Sequence, residues 1–427
     1  MKDGSAPALH IARPPFLSDP ALLAVLAALP EARLVGGCVR DALAGRDVAD
    51  VDLATPQAPE AVAAALAAAG LRAVPTGLQH GTITAVSGGR GFEVTTLRRD
   101  ERTDGRHAEV AWTADWREDA ARRDFTMNAM SMQPDGAVFD YFGGAADLVA
   151  GHVRFVGDPA ARIAEDYLRI LRFFRFQARY GRGDPDAAAL AALQAGVPGM
   201  AQLSTERVWS ELKRILATPA PIASLRLMER LGVLAAILPG AVELDRLERL
   251  VAIGGPEEPV LRFAALTLPK AFSRRAGEGW VRVGPAEPAT VPVNPPPPGP
   301  SPVLWEGQQV LADRFRMSSA ERDRLAALDG LAPTSDMDDD ALRRLLADSP
   351  VGAALGWAWL AGFDLRERLA IPRPVFPLVG RDALAAGVLA GPAVGVLLRD
   401  VRGWWLEGGC RAGAAACRAE LARRVAA

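Results

Sequence analysis

The chain reads as an α+β protein, with a mixed sheet and helices first and an all-helical remainder after it. Three observations predict this. Short apolar or alternating runs bounded by glycine recur up to about residue 150, and beyond that point apolar residues fall at helical spacing. At 427 residues the chain exceeds the size at which a single core stops growing, so several domains are expected. A proline-dense stretch at 284–302 then separates two helical segments.

Taken in order, residues 20–29 predict a helix, 32–35 a strand, 39–43 a short helix, and 50–54 a strand after the Gly45-Arg46 turn. Pro59 to Ala69 is an alanine-rich helix with proline in its first turn. Strands follow at 72–75, 82–86 and 92–97, with Gly88-Gly89 as the hairpin turn before the last. The longest apolar run, Val351 to Phe363, is too short and too rich in Gly and Ala to span a bilayer and predicts a buried helix. The prolines of 284–302 lack N–H donors and fix φ, so that segment is expected to be an extended linker or surface loop.

Composition bounds the function loosely. Apolar content of 50% with 23% charged residues suits a soluble globular protein, and a net charge of −2 gives no global sign of a nucleic-acid partner. Lysine occurs only at 2, 213 and 270, so arginine richness reads mainly as a coding bias toward Arg, Ala, Gly and Pro. The three cysteines (Cys38, Cys410, Cys417) suit neither a disulfide framework nor a zinc site, and residues 1–15 lack an apolar signal core. A cytoplasmic, reducing compartment is expected.

Chemistry concentrates in three segments. In Leu34-Val35-Gly36-Gly37-Cys38-Val39-Arg40-Asp41, an apolar strand runs into two glycines that let backbone N–H groups approach a phosphate. Asp50 and Asp52 follow, two apart and so on one face if both lie on a strand. Paired carboxylates repel unless a cation lies between them, and Mg²⁺ takes hard oxygens shared with substrate phosphates. The segment predicts metal-dependent nucleotidyl transfer. In Arg122-Arg123-Asp124-Phe125-Thr126-Met127-Asn128, the arginines suit phosphate oxygens. Asp124 and Asn128 either face a ribose hydroxyl from one helical side or mark a capped helix start. The third segment, Asp158 to Arg175, places Ile163, Tyr167, Ile170, Leu171 and Phe174 on one face of a helix. Asp166 and Arg169 fall about 60° apart on the other face, where they would brace each other and read a base edge, with Arg172 and Arg175 extending the basic row.

These motifs, in this order and spacing, resemble the family of tRNA nucleotidyltransferases and bacterial poly(A) polymerases, on its class II branch. The resemblance covers at least residues 32–240, including Asp140-Tyr141-Phe142-Gly143-Gly144 and the helical segment Glu211 to Pro239, and returns more weakly at 380–395. It implies a nucleotidyltransferase head at 20–150, a helical neck carrying an amino-acid base template at 151–215, a helical body at 216–283, the 284–302 linker, and an RNA-binding helical tail at 303–427. It implies further that Asp50 and Asp52 hold two Mg²⁺ ions for two-metal-ion nucleotidyl transfer, that Gly36, Gly37 and Arg40 receive the triphosphate, and that Arg123 reaches the nucleotide. Asp166 and Arg169 would be the base template, and Arg172 and Arg175 would complete the pocket. A third carboxylate is expected on a neighbouring strand; Glu93 is the candidate, unless it is an ordinary strand surface residue. Thr76 to Thr84 is similar to the segment typical of CCA-adding enzymes and lacks the basic run of poly(A) polymerases, which leaves His80 as a turn residue. Arg98 to His107 resembles the flexible loop associated with final A addition. The implied substrates are CTP, ATP and tRNA, with a poly(A) polymerase as the nearer alternative and a non-catalytic RNA-binding protein as the remoter one.

Overall fold

The computed structural model describes residues 6–103, 108–268, 302–328, 333–334 and 336–426. The expected linker, apart from Pro302, and the tip of the 98–107 segment lie outside these residues. The chain divides into two compact units, residues 1–239 and 240–427.

The first unit contains all ten described strands, β1 (Leu9–His10), β2 (Arg33–Val35), β3 (Asp52–Thr55), β4 (Arg72–Gly77), β5 (Thr82–Ser87), β6 (Arg90–Thr96), β7 (Arg98–Thr103), β8 (Ala108–Trp112), β9 (Ser131–Met132) and β10 (Ala137–Phe139). Among the described residues, eight of them form one sheet in the order β1-β10-β9-β2-β3-β6-β5-β4. The register decides which side chains meet. Met132, Leu34, Leu53 and Val94 align across four strands, and all four are buried. Helices α1 (Pro20–Ala28) and α3 (Pro59–Ala68) pack against this sheet at β5. One residue along each strand, the row Ser131, Val35, Asp52 and Glu93 therefore projects from the opposite face. The sheet's own core requirement thus places two carboxylates side by side.

Helix α2 (Gly37–Leu43) starts directly from β2 through Gly36. Of the segment expected to be a flexible loop, Arg98 to His107, the described residues form β7, which pairs antiparallel with β8, Arg98 opposite Trp112 and Thr103 opposite Ala108. Helices α4 (Trp116–Ala121) and α5 (Gly144–Ala150) complete the head-like part.

The helix expected through 158–175 is broken. Helix α6 (Pro159–Glu165) ends at Asp166, which is extended (φ −157°, ψ 106°), and α7 (Leu168–Tyr180) begins beyond it. The Asp166 carboxylate accepts the Leu168 N–H at 3.1 Å, a local bond that competes with helix continuation. The apolar side of α7 is nonetheless buried as expected: Ile170, Leu171, Phe173 and Phe174 are all 0% exposed. Phe173 and Phe176 also join Phe125 and Phe155, with centroids 5.0 Å apart for Phe125–Phe176 and 5.7 Å for Phe155–Phe173. That aromatic cluster fixes the Arg122–Asn128 segment against α7. Helices α8 (Ala187–Gly196), α9 (Thr205–Leu216), α10 (Ile222–Arg230) and α11 (Val233–Ile237) follow.

The second unit is helical throughout its described residues: α12 (Leu244–Ala252), α13 (Pro259–Thr267), α14 (Pro302–Arg314), α15 (Ser319–Ala327), α16 (Asp339–Asp348), α17 (Val351–Ala361), α18 (Gly380–Ala385), α19 (Pro392–Glu407) and α20 (Ala414–Val425). Leu342, Leu346, Ala354, Trp357 and Ala358 pack α16 on α17, so the long apolar run is a buried helix. Val401, Trp405, Cys417 and Leu421 pack α19 on α20. Among the described residues no helix is long and apolar enough to cross a membrane.

Candidate active site

Asp52 opens β3, but Asp50 lies in the chain before it, so only one of the pair holds the expected strand position. Its strand neighbour is Glu93, directly across the parallel ladder. Partial burial raises the Asp52 pKa, the charges of Glu93 and Asp50 raise it further, and Arg123 opposes them. Among the described residues no three acidic, imidazole or thiol groups stand close enough to enclose an ion. The donor chemistry still fits a hard divalent cation of the Mg²⁺ kind, which needs only one or two carboxylates when substrate phosphates supply the rest.

The glycine turn beside them carries two guanidiniums. Gly36 sits at φ +70°, and a Cβ there would lie 3.1 Å from Arg123 Nη1. A Cβ at Gly37 would lie 3.7 Å from Arg40 Nη2. Any larger residue at Gly36 would therefore be strained and would displace Arg123. Arg123 is held from behind by Asp119, whose Oδ2 accepts from Arg123 Nη2 at 3.2 Å. Asp119 Oδ1 accepts from Arg122 Nη2 at 2.7 Å and from the Arg98 N–H at 3.3 Å. Burial alone would raise the Asp119 pKa, but Arg123, Arg122 and these hydrogen bonds hold it below the usual carboxylate range.

Arg40 is buried. Its Nε and Nη2 donate to Asp41 at 3.2 and 2.9 Å, and its Nη1 donates to Asn128 Oδ1 at 2.5 Å. The guanidinium carbon lies 5.1 Å from the Phe176 ring and 4.8 Å from the Tyr180 ring, and the Tyr180 hydroxyl donates to Asp41. Arg40 is thus clasped between the α2 turn and α7.

Asp124 and Asn128 depart from both expected placements. They do not share an α-helical face toward a ribose, and Asp124 caps no helix: residues Thr126–Asn128 are a single tight turn preceded by Phe125. Both are buried, and each serves the other. Asn128 Nδ2 donates to Asp124 Oδ1 at 2.9 Å, and Arg172 Nε donates to Asp124 Oδ2 at 2.7 Å. The result is a chain Arg40–Asn128–Asp124–Arg172 that ties the glycine turn to α7. Burial would raise the Asp124 pKa, but Arg172 and the Asn128 and Phe125 N–H donors hold it below the usual range. A carboxylate so depressed contributes stability that is present above its unfolded pKa and lost as pH falls through the folded value. Asp124→Ala should cost about 3–5 kcal/mol, because it leaves Arg172 and Asn128 without their partner. Urea unfolding at neutral pH checks this, and the difference from the unsubstituted protein should shrink on acidification below about pH 4.

The expected brace between Asp166 and Arg169 is not formed. The break before α7 takes Asp166 off the helix, and its Oδ2 accepts from Arg207 Nη2 on α9 at 2.7 Å. Arg169 pairs with Glu165 and donates from Nη1 to the Arg162 carbonyl at 2.8 Å. Arg172 pairs with Asp124, and Arg175 Nε donates to Glu211 Oε2 at 2.7 Å. The residues missed from the sequence are therefore the holders: Asp41, Asp119, Glu165, Arg207 and Glu211. Helical spacing was a signal for several of them: Arg207, Glu211 and Arg214 form a charged row at i, i+4 and i+7 on α9, Glu165 stands four before Arg169, and Asp119 stands four before Arg123.

Residues 32–154 match the poly A polymerase head domain, and residues 184–244 match the probable RNA and SrmB-binding site of polymerase A. Over 403 residues the chain is 36% identical to mouse mitochondrial CCA tRNA nucleotidyltransferase 1, covering 89% of this chain and 84% of that protein. The chain belongs to the CCA tRNA nucleotidyltransferase family. The human mitochondrial member is 50% identical over 192 residues, which is 44% of each chain. The fold is shared with the CCA-adding enzyme of Bacillus stearothermophilus, solved in complex with CTP, at a TM-score of 0.65 and 24% identity over 96% of this chain and 98% of that one. The head-domain match contains the glycine turn, all three carboxylates and the Arg122–Asn128 segment. Asp166, Arg169, Arg172 and Arg175 lie between the two matched regions, so their placement rests on the geometry just described.

Proposed function

We propose that this protein adds C, C and A in turn to tRNA 3′ ends from CTP and ATP, without a nucleic-acid template. The observation that carries the reading is the alignment of Asp52 with Glu93 beside a glycine turn flanked by Arg40 and Arg123, in a chain of this family. Residues 20–150 would be the catalytic head, 151–215 the neck, 216–283 the body and 303–427 the tRNA-holding tail.

Asp50 and Asp52 would hold Mg²⁺, with Glu93 beside Asp52 as the site's third carboxylate; the metal would supply activation of the terminal ribose hydroxyl and neutralise charge on the departing pyrophosphate. The 3′ oxygen attacks the α-phosphorus, and the bond to pyrophosphate breaks. Gly36 and Gly37 admit the triphosphate close to the backbone; Arg123 and Arg40 face it with guanidiniums already fixed by Asp119 and Asp41, so little ordering remains on binding. Asp124 and Asn128 act behind Arg40 and do not touch the nucleotide. Asp166 and Arg169 present an acceptor and a donor to the base edge, each steadied by its own partner, Arg207 and Glu165. The free, buried thiols suit a reducing compartment, and we assign the protein to the cytoplasm.

Incubating tRNA that ends at the discriminator base with CTP, with ATP, and with both tests the reading. Two residues from CTP alone and three from the mixture are expected. Open-ended A tails would replace it with poly(A) synthesis, for which Leu78–His80 offers no basic side chain other than an exposed histidine whose carbonyl accepts from Arg98 at 3.0 Å. No product from a folded, Mg²⁺-supplied protein would sink it.

A further inference from the structure

At the opposite end of α7 from Arg169, a concavity of about 380 Å³ is lined by Leu43, Arg46, Val149, Arg179, Tyr180 and Arg182 among others, and no lining residue is acidic. The arginines around the nucleotide site and its neighbours are matched to carboxylates: Arg123 to Asp119, Arg154 to Asp147, Arg172 to Asp124 and Arg175 to Glu211. Arg46, Arg179 and Arg182 are exposed, and among the described residues none of the three has a carboxylate partner. Arg46 stacks on Tyr180 at 4.8 Å and donates to the Arg179 carbonyl at 2.9 Å, while Arg182 reaches the Val149 carbonyl only at 3.4 Å.

These bonds show what the arginines also do locally, since α2, α5 and α7 all end at this concavity. A helix C-terminus carries only about half a negative charge, and each such bond uses one of the five N–H groups of a guanidinium. Three full positive charges therefore leave the concavity net positive and rich in unclaimed donors. The lining offers no side-chain acceptor except the hydroxyl of buried Tyr180, which is oriented by donating to Asp41. Such a surface suits phosphate oxygens, which only accept, and lacks the side-chain acceptors that reading a base amino group needs.

We infer that Arg46, Arg179 and Arg182 form a second RNA contact, which binds the sugar–phosphate backbone of the tRNA substrate; this rests on the proposed tRNA reading. A free CTP or ATP is the poorer fit, because the amino group of its base would find no carboxylate or amide acceptor here and Arg40 and Arg123 already flank the glycine turn. Tyr180 is shared by both places, with Arg40 over its ring at 4.8 Å, so the bound strand lies next to the nucleotide site.

The test is the triple variant Arg46→Gln, Arg179→Gln, Arg182→Gln in the full chain, with tRNA lacking CCA as the probe. The KM for tRNA should rise about tenfold or more at physiological salt, and the slope of log binding constant against log salt should fall by two to three phosphate contacts. The KM for CTP at saturating tRNA should stay within about twofold, and the triple Lys variant should recover most of the tRNA affinity because it keeps the charges. If the triple variant loses its fold, Arg182→Gln alone, whose side chain makes one weak bond, should still lower the salt slope by about one. An unchanged tRNA KM and slope, or a rise in the CTP KM alone, overturns the surface while leaving CCA addition standing. A wild-type chain that neither binds nor extends tRNA overturns the functional reading itself.

Discussion

Asp52→Asn is expected to abolish nucleotide addition while leaving the metal-free protein at least as stable as before. The two effects have one cause. Asp52 lies at the surface end of β3 but is partly desolvated by its surroundings, faces Glu93 across the ladder and Asp50 along the chain, and its pKa is raised accordingly. A carboxylate with a raised folded pKa destabilises the fold at neutral pH, and that penalty disappears as pH falls through the folded value. Removing the charge therefore relieves repulsion in EDTA, and the thermal midpoint at pH 7 should stay level or rise. With Mg²⁺ and substrates present, the same carboxylate is an attractive ligand, and its loss should cost about a thousandfold or more in kcat, roughly 4 kcal/mol. The unsubstituted enzyme should also lose Mg²⁺ affinity on acidification earlier than a carboxylate of ordinary pKa would dictate, because protons compete for Asp52. Activity above a few per cent in the variant, or a clear drop in its midpoint in EDTA, would show that Asp52 is a structural surface residue.

The parts of this site that were legible in the sequence are those held by the local backbone. Glycine before α2, strand periodicity at Leu34 and Leu53, and an aspartate heading β3 follow from chain geometry over a few residues, and the sheet register then brings Glu93 opposite Asp52. The misplacements arise where one local charge pairing was expected and another partner wins, distant for Asp166 and Asp124 and four residues back for Arg169. Asp166 and Arg169 satisfy the i, i+3 spacing, but Asp166 spends one oxygen on the Leu168 N–H and the other on Arg207, 41 residues away. Asp124 and Asn128 satisfy the i, i+4 spacing, but Arg172, 48 residues on, and Arg40 draw them inward. The polarity of Arg98 to Thr103 read as a loop, yet its pairing with Ala108–Trp112 supplies backbone hydrogen bonds that composition does not reveal. The order of the motifs was visible; of the carboxylates that hold the arginines, Asp119 stands at i, i+4 to Arg123, whereas nothing in a lone sequence ties Glu211 to Arg175.

That correction changes what Arg169→Ala should do. Were Asp166 braced by Arg169, truncation would release both halves of the base-reading pair. Here Asp166 keeps its bond to Arg207, so the acceptor stays in place while the donor is lost. Cytosine and adenine each offer an amino donor beside a ring-nitrogen acceptor, which suits an Asp acceptor next to an Arg donor. Without the guanidinium, Asp166 can accept as well from the ring N–H of uracil or guanine, and the discrimination that remains is against shape alone. Loss of one charge-assisted hydrogen bond is worth roughly 1.5–3 kcal/mol, a factor of about 10 to 150 in kcat/KM for CTP and ATP, with a much smaller change for UTP and GTP. Arg207→Ala should behave differently: the donor stays on Glu165 and the acceptor is freed, so CTP and ATP lose efficiency with less gain of the wrong bases. Measuring kcat/KM for all four nucleotides on tRNA ending at the discriminator base, and on tRNA ending in CC, separates these outcomes. Should all four nucleotides fall by one common factor in Arg169→Ala, the guanidinium is serving phosphate or fold, and the base edge is read elsewhere.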